Sequence, residues 1–225
     1  MRHLITGAGS GIGEAVVDRL HARGDELVLL ARSPERAEEL AARWPGAETI
    51  VADLTDPASL AAAWPTALDR LDSVIHSAGV VRIGRVAELT VEDWQWQLTV
   101  NLVAVAELTR LALPALRAAQ GTVVLVNSGS GYRAGPVWSP YAASKFGLRA
   151  FADSLREEEK DSGVRVSGIH PGRVASPMQE DLHAQEGKEY DASEWIQPGT
   201  VADAILYALD LPADATVPEL VLRPR

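Results

Sequence analysis

Thr6-Gly7-Ala8-Gly9-Ser10-Gly11-Ile12-Gly13 closes a short apolar run, Leu4–Thr6, and leads into a stretch of helical length, Gly13–Arg23. Glycines between a strand and a helix let the backbone turn tightly and approach a pyrophosphate. The helix N-terminus behind them offers unpaired N–H groups and the positive end of its dipole. The spacing is Gly7-x-x-x-Gly11-x-Gly13 rather than the G-x-G-x-x-G of the broad dinucleotide fold. The bland alternative is a tight β-to-α connection that holds nothing. A strand before and a helix after favour the phosphate site.

The same alternation runs along the whole chain. Apolar runs at Leu27–Ala31, Thr49–Ala52, Ser73–His76, Thr122–Asn127, Val164–Ile169 and Glu219–Leu222 are separated by helical stretches such as Pro34–Arg43 and Tyr141–Asp161. Strands that read as nearly continuous apolar runs are covered on both sides. The pattern predicts an α/β fold, a Rossmann-like doubly wound parallel sheet of about seven strands with helices on both faces. At about 30 residues per βα unit, the 225 residues make one dinucleotide-binding and catalytic domain over 1–225. Ser33-Pro34 and Asp56-Pro57 start helices, Ser162-Gly163 stops one, and the charge run Glu157–Asp161 is read as an exposed helix end. The polar segment 177–198, with Gly187 and no strand pattern, is expected to form a substrate-binding lid within the domain.

Composition removes several classes. No cysteine is present, which excludes a disulfide framework, a thiolate metal site and a cysteine nucleophile. Five scattered histidines show no i,i+4 pair, and no metal site is expected. A net charge of −10 opposes binding to a nucleic-acid backbone. No apolar run reaches the roughly 18 residues of a membrane span, and no signal peptide precedes the first strand. The expectation is a cytoplasmic protein with no membrane and no nucleic-acid partner.

The second strand decides which dinucleotide fits. Enzymes using NAD commonly place an acid there to hold the ribose 2′-hydroxyl. Here the end reads Leu29-Leu30-Ala31-Arg32-Ser33, with Ala31 at the acid's position. Arg32 would pair with a 2′-phosphate, and Ser10 or Ser33 could add hydroxyl donors. NADP(H) is therefore preferred, with NAD(H) possible. The bland reading of Arg32 is a solvated strand end. Asp53-Leu54, after the third strand, falls where an adenine would sit, although an Asp there could equally cap the next helix.

Chemistry is carried further on. Val126-Asn127-Ser128-Gly129-Ser130-Gly131 follows the fifth strand, and Tyr141-Ala142-Ala143-Ser144-Lys145 begins thirteen residues after Ser128. Tyr141 and Lys145 are four apart and share a helix face. A cation about 4 Å from a phenolate is worth roughly 4 kcal/mol at an effective dielectric of about 20, or about three pKa units before solvation costs. That would bring a phenol that titrates near 10 towards neutrality. Ser128 would hydrogen-bond a substrate carbonyl or alcohol, with Ser130 a poorer-placed substitute. His76 and His170 are read as packed strand residues.

With these residues the chain resembles the short-chain dehydrogenase/reductase family, in its compact form, over essentially its whole length. Thr6, Gly7, Gly11, Ile12 and Gly13 match the glycine motif, and Asp53-Leu54 match the adenine-side motif. Asn101 in Val100-Asn101-Leu102 matches the helix asparagine of a catalytic tetrad whose other members are Ser128, Tyr141 and Lys145. Pro171-Gly172-Arg173-Val174-Ala175-Ser176 matches the motif that supports the nicotinamide, with Ser176 where Thr is usual. His76-Ser77-Ala78-Gly79 departs from the usual Asn-Asn-Ala-Gly and leaves open how the fourth strand is tied; the small Ala78-Gly79 pair still lets a cofactor pass.

The resemblance implies a mechanism. Tyr141 is the general acid in reduction and general base in oxidation, Lys145 lowers its pKa and binds the nicotinamide ribose, Ser128 polarises the carbonyl, and Asn101 holds a water of a proton relay. Asn101, Tyr141 and Lys145 thus also belong to the cofactor's surroundings, with Pro171, Gly172, Val174 and Ser176. Substrate contacts are expected from Arg82, Ile83, Tyr132, Val137, Trp138, Arg173 and the segment Met178–Trp195. The expected activity is hydride transfer between NADP(H) and a small, partly apolar carbonyl or alcohol, in a homodimer or homotetramer. A non-catalytic NADP(H)-binding sensor or partner-binding protein on the same scaffold is the alternative. A sugar-nucleotide epimerase is disfavoured by the short chain.

Overall fold

Neighbouring residues on each strand face opposite cores. Leu4, Val28, Leu30, Val74, Val123 and Leu125 enter one buried cluster, while Ile5, Leu27, Leu29, Ile75, Val124 and Val126 enter the other. This alternation follows from the pleat, and it requires cover on both sides. The computed structural model describes residues 1–66 and 68–225. Its strands are β1 (Arg2–Thr6), β2 (Glu26–Ala31), β3 (Glu48–Val51), β4 (Ser73–His76), β5 (Thr122–Val126), β6 (Arg165–Pro171) and β7 (Glu219–Leu222). They form one parallel sheet in the order β3-β2-β1-β4-β5-β6-β7, as the sequence pattern predicts.

The helices are α1 (Gly11–Ala22), α2 (Pro34–Arg43), α3 (Leu60–Ala63), α4 (Val91–Leu98), α5 (Ala104–Ala119), α6 (Ser139–Glu158), α7 (Pro177–Glu186) and α8 (Pro198–Leu209). On one face α1 contributes Val16, Val17 and Leu20, and α8 contributes Val201 and Ile205. On the other, α5 contributes Leu108, Ala112 and Leu116, and α6 contributes Leu148, Ala152 and Leu155. After β3 the chain crosses to the far side of β1 to make β4. In such sheets a crevice opens beyond the carboxyl ends of the strands at this reversal of order.

Two expectations change. Helices α4 and α5, joined by a π turn at Thr99–Val103, make a 29-residue rod long and apolar enough to cross a bilayer, although its inner face belongs to the core just described. The charge run at the end of α6 is not wholly exposed either. Glu159 is buried, and its carboxylate takes both Arg117 and the Ser162 hydroxyl. Those hydrogen bonds hold the Glu159 carboxyl below its ordinary value of 4.5. A depressed carboxylate stabilises the fold above its unfolded pKa, and that contribution fades as the pH falls through the folded value. Glu159→Ala is expected to cost about 1–3 kcal/mol at pH 7, a fall in melting temperature on the order of 5 °C. The gap should narrow as the pH drops below 4.5. Thermal melts at neutral and acid pH measure it, and a variant as stable as the parent at pH 7 would contradict the assignment.

Candidate active site

The glycine turn lies at the crevice between β1 and β4. Gly7 has φ +70°, and a Cβ there would sit 2.7 Å from the Ala78 nitrogen; a Cβ on Gly13 would sit 2.1 Å from the Gly7 carbonyl oxygen. Side chains at either position would push the turn away from β4 and from its own helix. Thr6 is buried, and its Oγ1 accepts from the backbone N–H of Ser77 (3.2 Å) and of Ala78 (3.1 Å). This pair of bonds answers the question raised by His76-Ser77: Thr6 ties the end of β4 to β1. His76 instead bonds Thr109 on α5 at 2.9 Å, and burial pushes its pKa down to about 3. It is a neutral packed residue, as expected. Thr6 and Gly13 thus shape the turn without lining the open cleft.

A cleft of about 840 Å³ runs outward from this turn. It is lined by Gly7 through Ile12, by Ala31, Arg32 and Arg36 beyond β2, by Asp53 and Leu54 beyond β3, and by Ser77, Ala78 and Gly79 beyond β4. Asp53 also accepts from the Thr55 N–H at 2.8 Å in a local turn; it does not cap the next helix, where Asp56 stands at the N-cap position. Ser33 does not line the cleft; it caps α2, accepting from the Arg36 N–H at 3.3 Å. Arg36 went unrecognised in the sequence. Its Nη2 donates to the Gly9 carbonyl at 2.9 Å, and its Nη1 pairs with Glu39. The available signal was its distance from Arg32, four residues across a helix opened by Ser-Pro.

A second cleft of about 430 Å³ adjoins the first, and Ile12, Ser77, Ala78, Gly79, Ser176 and Met178 line both. Ser128, Tyr141, Lys145, Pro171, Gly172 and Val174 line it as well. Three of the four predicted catalytic residues therefore line one cleft, contiguous with the glycine turn, and Asn101 lines neither. Both clefts suit a nicotinamide dinucleotide: backbone amides and glycines lie at one end, and the buried Ser77 Oγ has no hydrogen-bond partner among the described residues.

Lys145 is buried, and its Nζ donates to the Val126 carbonyl at 3.0 Å. The same Nζ lies 5.7 Å from the Tyr141 ring centre. Burial pushes its pKa down to about 8. Tyr141 differs from expectation. Burial raises its phenol above the ordinary 10; the neighbouring Ser128 hydroxyl opposes that rise, and the charge of Lys145 does not outweigh the burial. Desolvating a phenolate outweighs an ammonium that is itself committed to a carbonyl.

Asn101 holds the loop after β4 through its side chain. Its Oδ1 accepts from the Val80 N–H, and its Nδ2 donates to the Val80 carbonyl, both at 2.9 Å, and to Ser144 Oγ at 3.1 Å. With both amide hydrogens used, the side chain staples the loop after β4 to the rod. Asn127, absent from the sequence-based site, ties the catalytic loop to α6. It accepts from the Ser128 N–H at 2.8 Å and donates to the Lys145 carbonyl at 3.1 Å. An Asn next to the serine at a strand end was the only available sign.

Of the expected substrate contacts, Trp138, Arg173 and Met178 line the second cleft. Arg82 pairs with Asp93, Ile83 takes Gln185 through its N–H, and Tyr132 donates to Glu219; none of the three lines this cleft. Val137 too is outside it. In the segment 177–198, α7 opens on a Ser176 cap and ends at Gly187, so the excursion contains a regular helix. Arg173 grips that helix through Glu186 and lies over the rings of Trp138 and Trp195. From the segment Met178–Trp195, Gln179 and Leu182 line the cleft with Met178, while Arg133 and Arg223 line it without having been singled out in the sequence.

Comparison with known proteins agrees with this geometry. A family model described as short chain dehydrogenase matches residues 2–187. An uncharacterised oxidoreductase of Staphylococcus epidermidis is 31% identical over 226 residues, covering 98% of this chain and 96% of that one. Oxidoreductase UcpA of Escherichia coli is 36% identical over 194 residues, covering 83% and 74%. Among solved structures, an alcohol dehydrogenase from the archaeon Thermococcus sibiricus, complexed with 5-hydroxy-NADP, has a TM-score of 0.84 at 29% identity, covering 99% and 96%.

Proposed function

The chain belongs to the short-chain dehydrogenase family of oxidoreductases, and we propose that it interconverts a small carbonyl compound and its alcohol with NADP(H). The observation that carries this reading is the convergence of Ser128, Tyr141 and Lys145 on a cleft continuous with the glycine turn. The dinucleotide, when bound, supplies or removes the hydride at the substrate carbon. Residues of this chain manage the proton and the geometry. Ser128 hydrogen-bonds the substrate oxygen. Tyr141 gives that oxygen a proton in reduction and takes it back in oxidation. A phenol held above 10 by burial stays protonated at neutral pH, which suits the donor role. Lys145, with a pKa near 8, is still mostly charged there and favours the phenolate left behind.

Asn101 is a positioning residue through its staple on Val80. Arg32 and Arg36 hold a 2′-phosphate, and the NADP named with the archaeal structure is consistent with that choice. The segment 177–198 acts as the lid of a single domain, with α7 anchored by Arg173. Following NADPH oxidation over a panel of aldehydes and ketones, with Tyr141→Phe as control, tests the reading; tight NADPH binding with no turnover of any carbonyl would replace it by the sensor reading.

A homo-oligomer belongs to the same proposal. Trp96 and Val103 on the α4–α5 rod and Phe146 on α6 are exposed. Exposed large apolar side chains on packed helices are what a subunit contact covers. Light scattering is expected to return a dimer or tetramer, and a monomer at micromolar concentration would remove this part.

A further inference from the structure

We propose that the substrate carries an anionic group beside its carbonyl, a carboxylate foremost, and that Arg133 and Arg223 receive it. This deepens the reductase reading and rests on it. The chain has 31 acidic against 21 basic residues, yet the catalytic cleft is lined by Lys145, Arg133, Arg173 and Arg223, with no Asp or Glu among its lining residues. That local reversal of sign concentrates anions at the chemistry.

Two of the four cations are already committed. Lys145 bonds the Val126 carbonyl, and Arg173 is paired with Glu186. Arg133 and Arg223 have no carboxylate partner among the described residues, in a chain where most other arginines are paired. Both reach the cleft at the turn that carries Ser128. The Arg133 N–H bonds the Gly129 carbonyl at 3.3 Å. The Arg223 guanidinium lies against Gly129 itself, where a Cβ would come within 3.1 Å of Nη1.

The end of β7 holds Arg223 in place. Its Nη1 donates to the carbonyls of His170 (3.2 Å) and Leu222 (3.1 Å), and no hydrogen bond to the described residues uses Nε or Nη2. A guanidinium fork matches a carboxylate in shape as well as charge. The anionic group makes and breaks no bond: the carbonyl carbon gains the hydride, its oxygen gains the Tyr141 proton, and the charge two or three atoms away orients the compound.

The test uses matched compounds: a short keto acid, its methyl ester, and a phosphate monoester of a hydroxyketone. The kcat/KM ratio of acid to ester is expected to exceed about tenfold at low salt and to shrink as salt is added, since both arginines are exposed. Arg133→Met and Arg223→Met should each bring the ratio towards one. A second readout needs no turnover: an inert carboxylic acid should quench the fluorescence of Trp138 in the parent and not in the variants. Should Arg223→Met fail to fold, Arg133→Met decides, because no hydrogen bond among the described residues uses its guanidinium. A phosphate monoester that outruns the acid supports the anion site and reassigns its headgroup. Equal rates for acid and ester with no binding of the inert acid, or a ratio unmoved by Arg133→Met, overturns the proposal and leaves the reductase reading standing. If no carbonyl is reduced at all, that reading fails and the quenching result still judges the anion site.

Discussion

Tyr141→Phe is expected to lower kcat for carbonyl reduction by about a thousandfold while NADPH binding stays within a few-fold of the parent. Proton transfer by a positioned group contributes typically 10²–10⁴ in rate, and the variant removes the phenol that lines the cleft beside Ser128. The ring itself keeps its packing against Trp138, whose centre is 5.7 Å away, so the loss is chemical rather than structural. The pH dependence follows from two groups shifted in opposite directions. Tyr141, raised above 10, remains a proton donor across the neutral range. Lys145, lowered to about 8, is charged below that pH and neutral above it. Reduction in the parent should therefore decline as the pH rises through about 8, because the phenolate formed on proton donation loses its counter-charge. Turnover in Tyr141→Phe above a tenth of the parental rate, with the protein folded, would withdraw Tyr141 from its role.

The parts of this molecule legible in the sequence are those set by local rules. Strand and helix order follows from apolar runs and punctuation, and the glycine spacing locates the crevice because a Cβ at Gly7 or Gly13 has nowhere to go. Tyr141 and Lys145 meet because four residues close one helical turn. What stayed hidden depends on long-range contact. Only the path of the loop after β4 shows that the Asn101 amide is used on Val80. The lowering of the Tyr141 pKa was argued from a charge at helical spacing, whereas the burial that reverses it is a property of the assembled core. Arg223 lies 95 residues beyond Ser128 in the chain, and parallel pairing of β7 with β6 alone brings it to the catalytic turn. Glu159 shows the same limit: nothing within a five-residue charge run indicates which member turns inward to Arg117.

Removing charge at the far end of the dinucleotide cleft is expected to alter cofactor choice more than any other surface change. Arg32→Ala should weaken NADPH binding about tenfold, because a hydrogen bond to a charged group contributes roughly 1.5–3 kcal/mol when it forms, less where solvent screens it. NADH, which lacks the 2′-phosphate, should be affected less than threefold by the same estimate. Arg36→Ala acts twice. It removes a second guanidinium, and it frees Glu39, which Arg36 otherwise neutralises at the cleft wall. An unpaired carboxylate there repels a phosphate and accepts from a ribose 2′-hydroxyl, which is the arrangement NAD-binding sheets use. The double variant should therefore bind NADPH about a hundredfold less tightly and hold NADH as well as or better than the parent. The Gly9 carbonyl loses its partner in both Arg36 variants, and since that loss falls on either dinucleotide alike, the ratio of the two affinities isolates the phosphate term. Fluorescence titration with each dinucleotide measures that ratio. Equal affinities in the parent, or an Arg32→Ala variant weakened to the same degree for both, would show that the cleft does not read the 2′-phosphate.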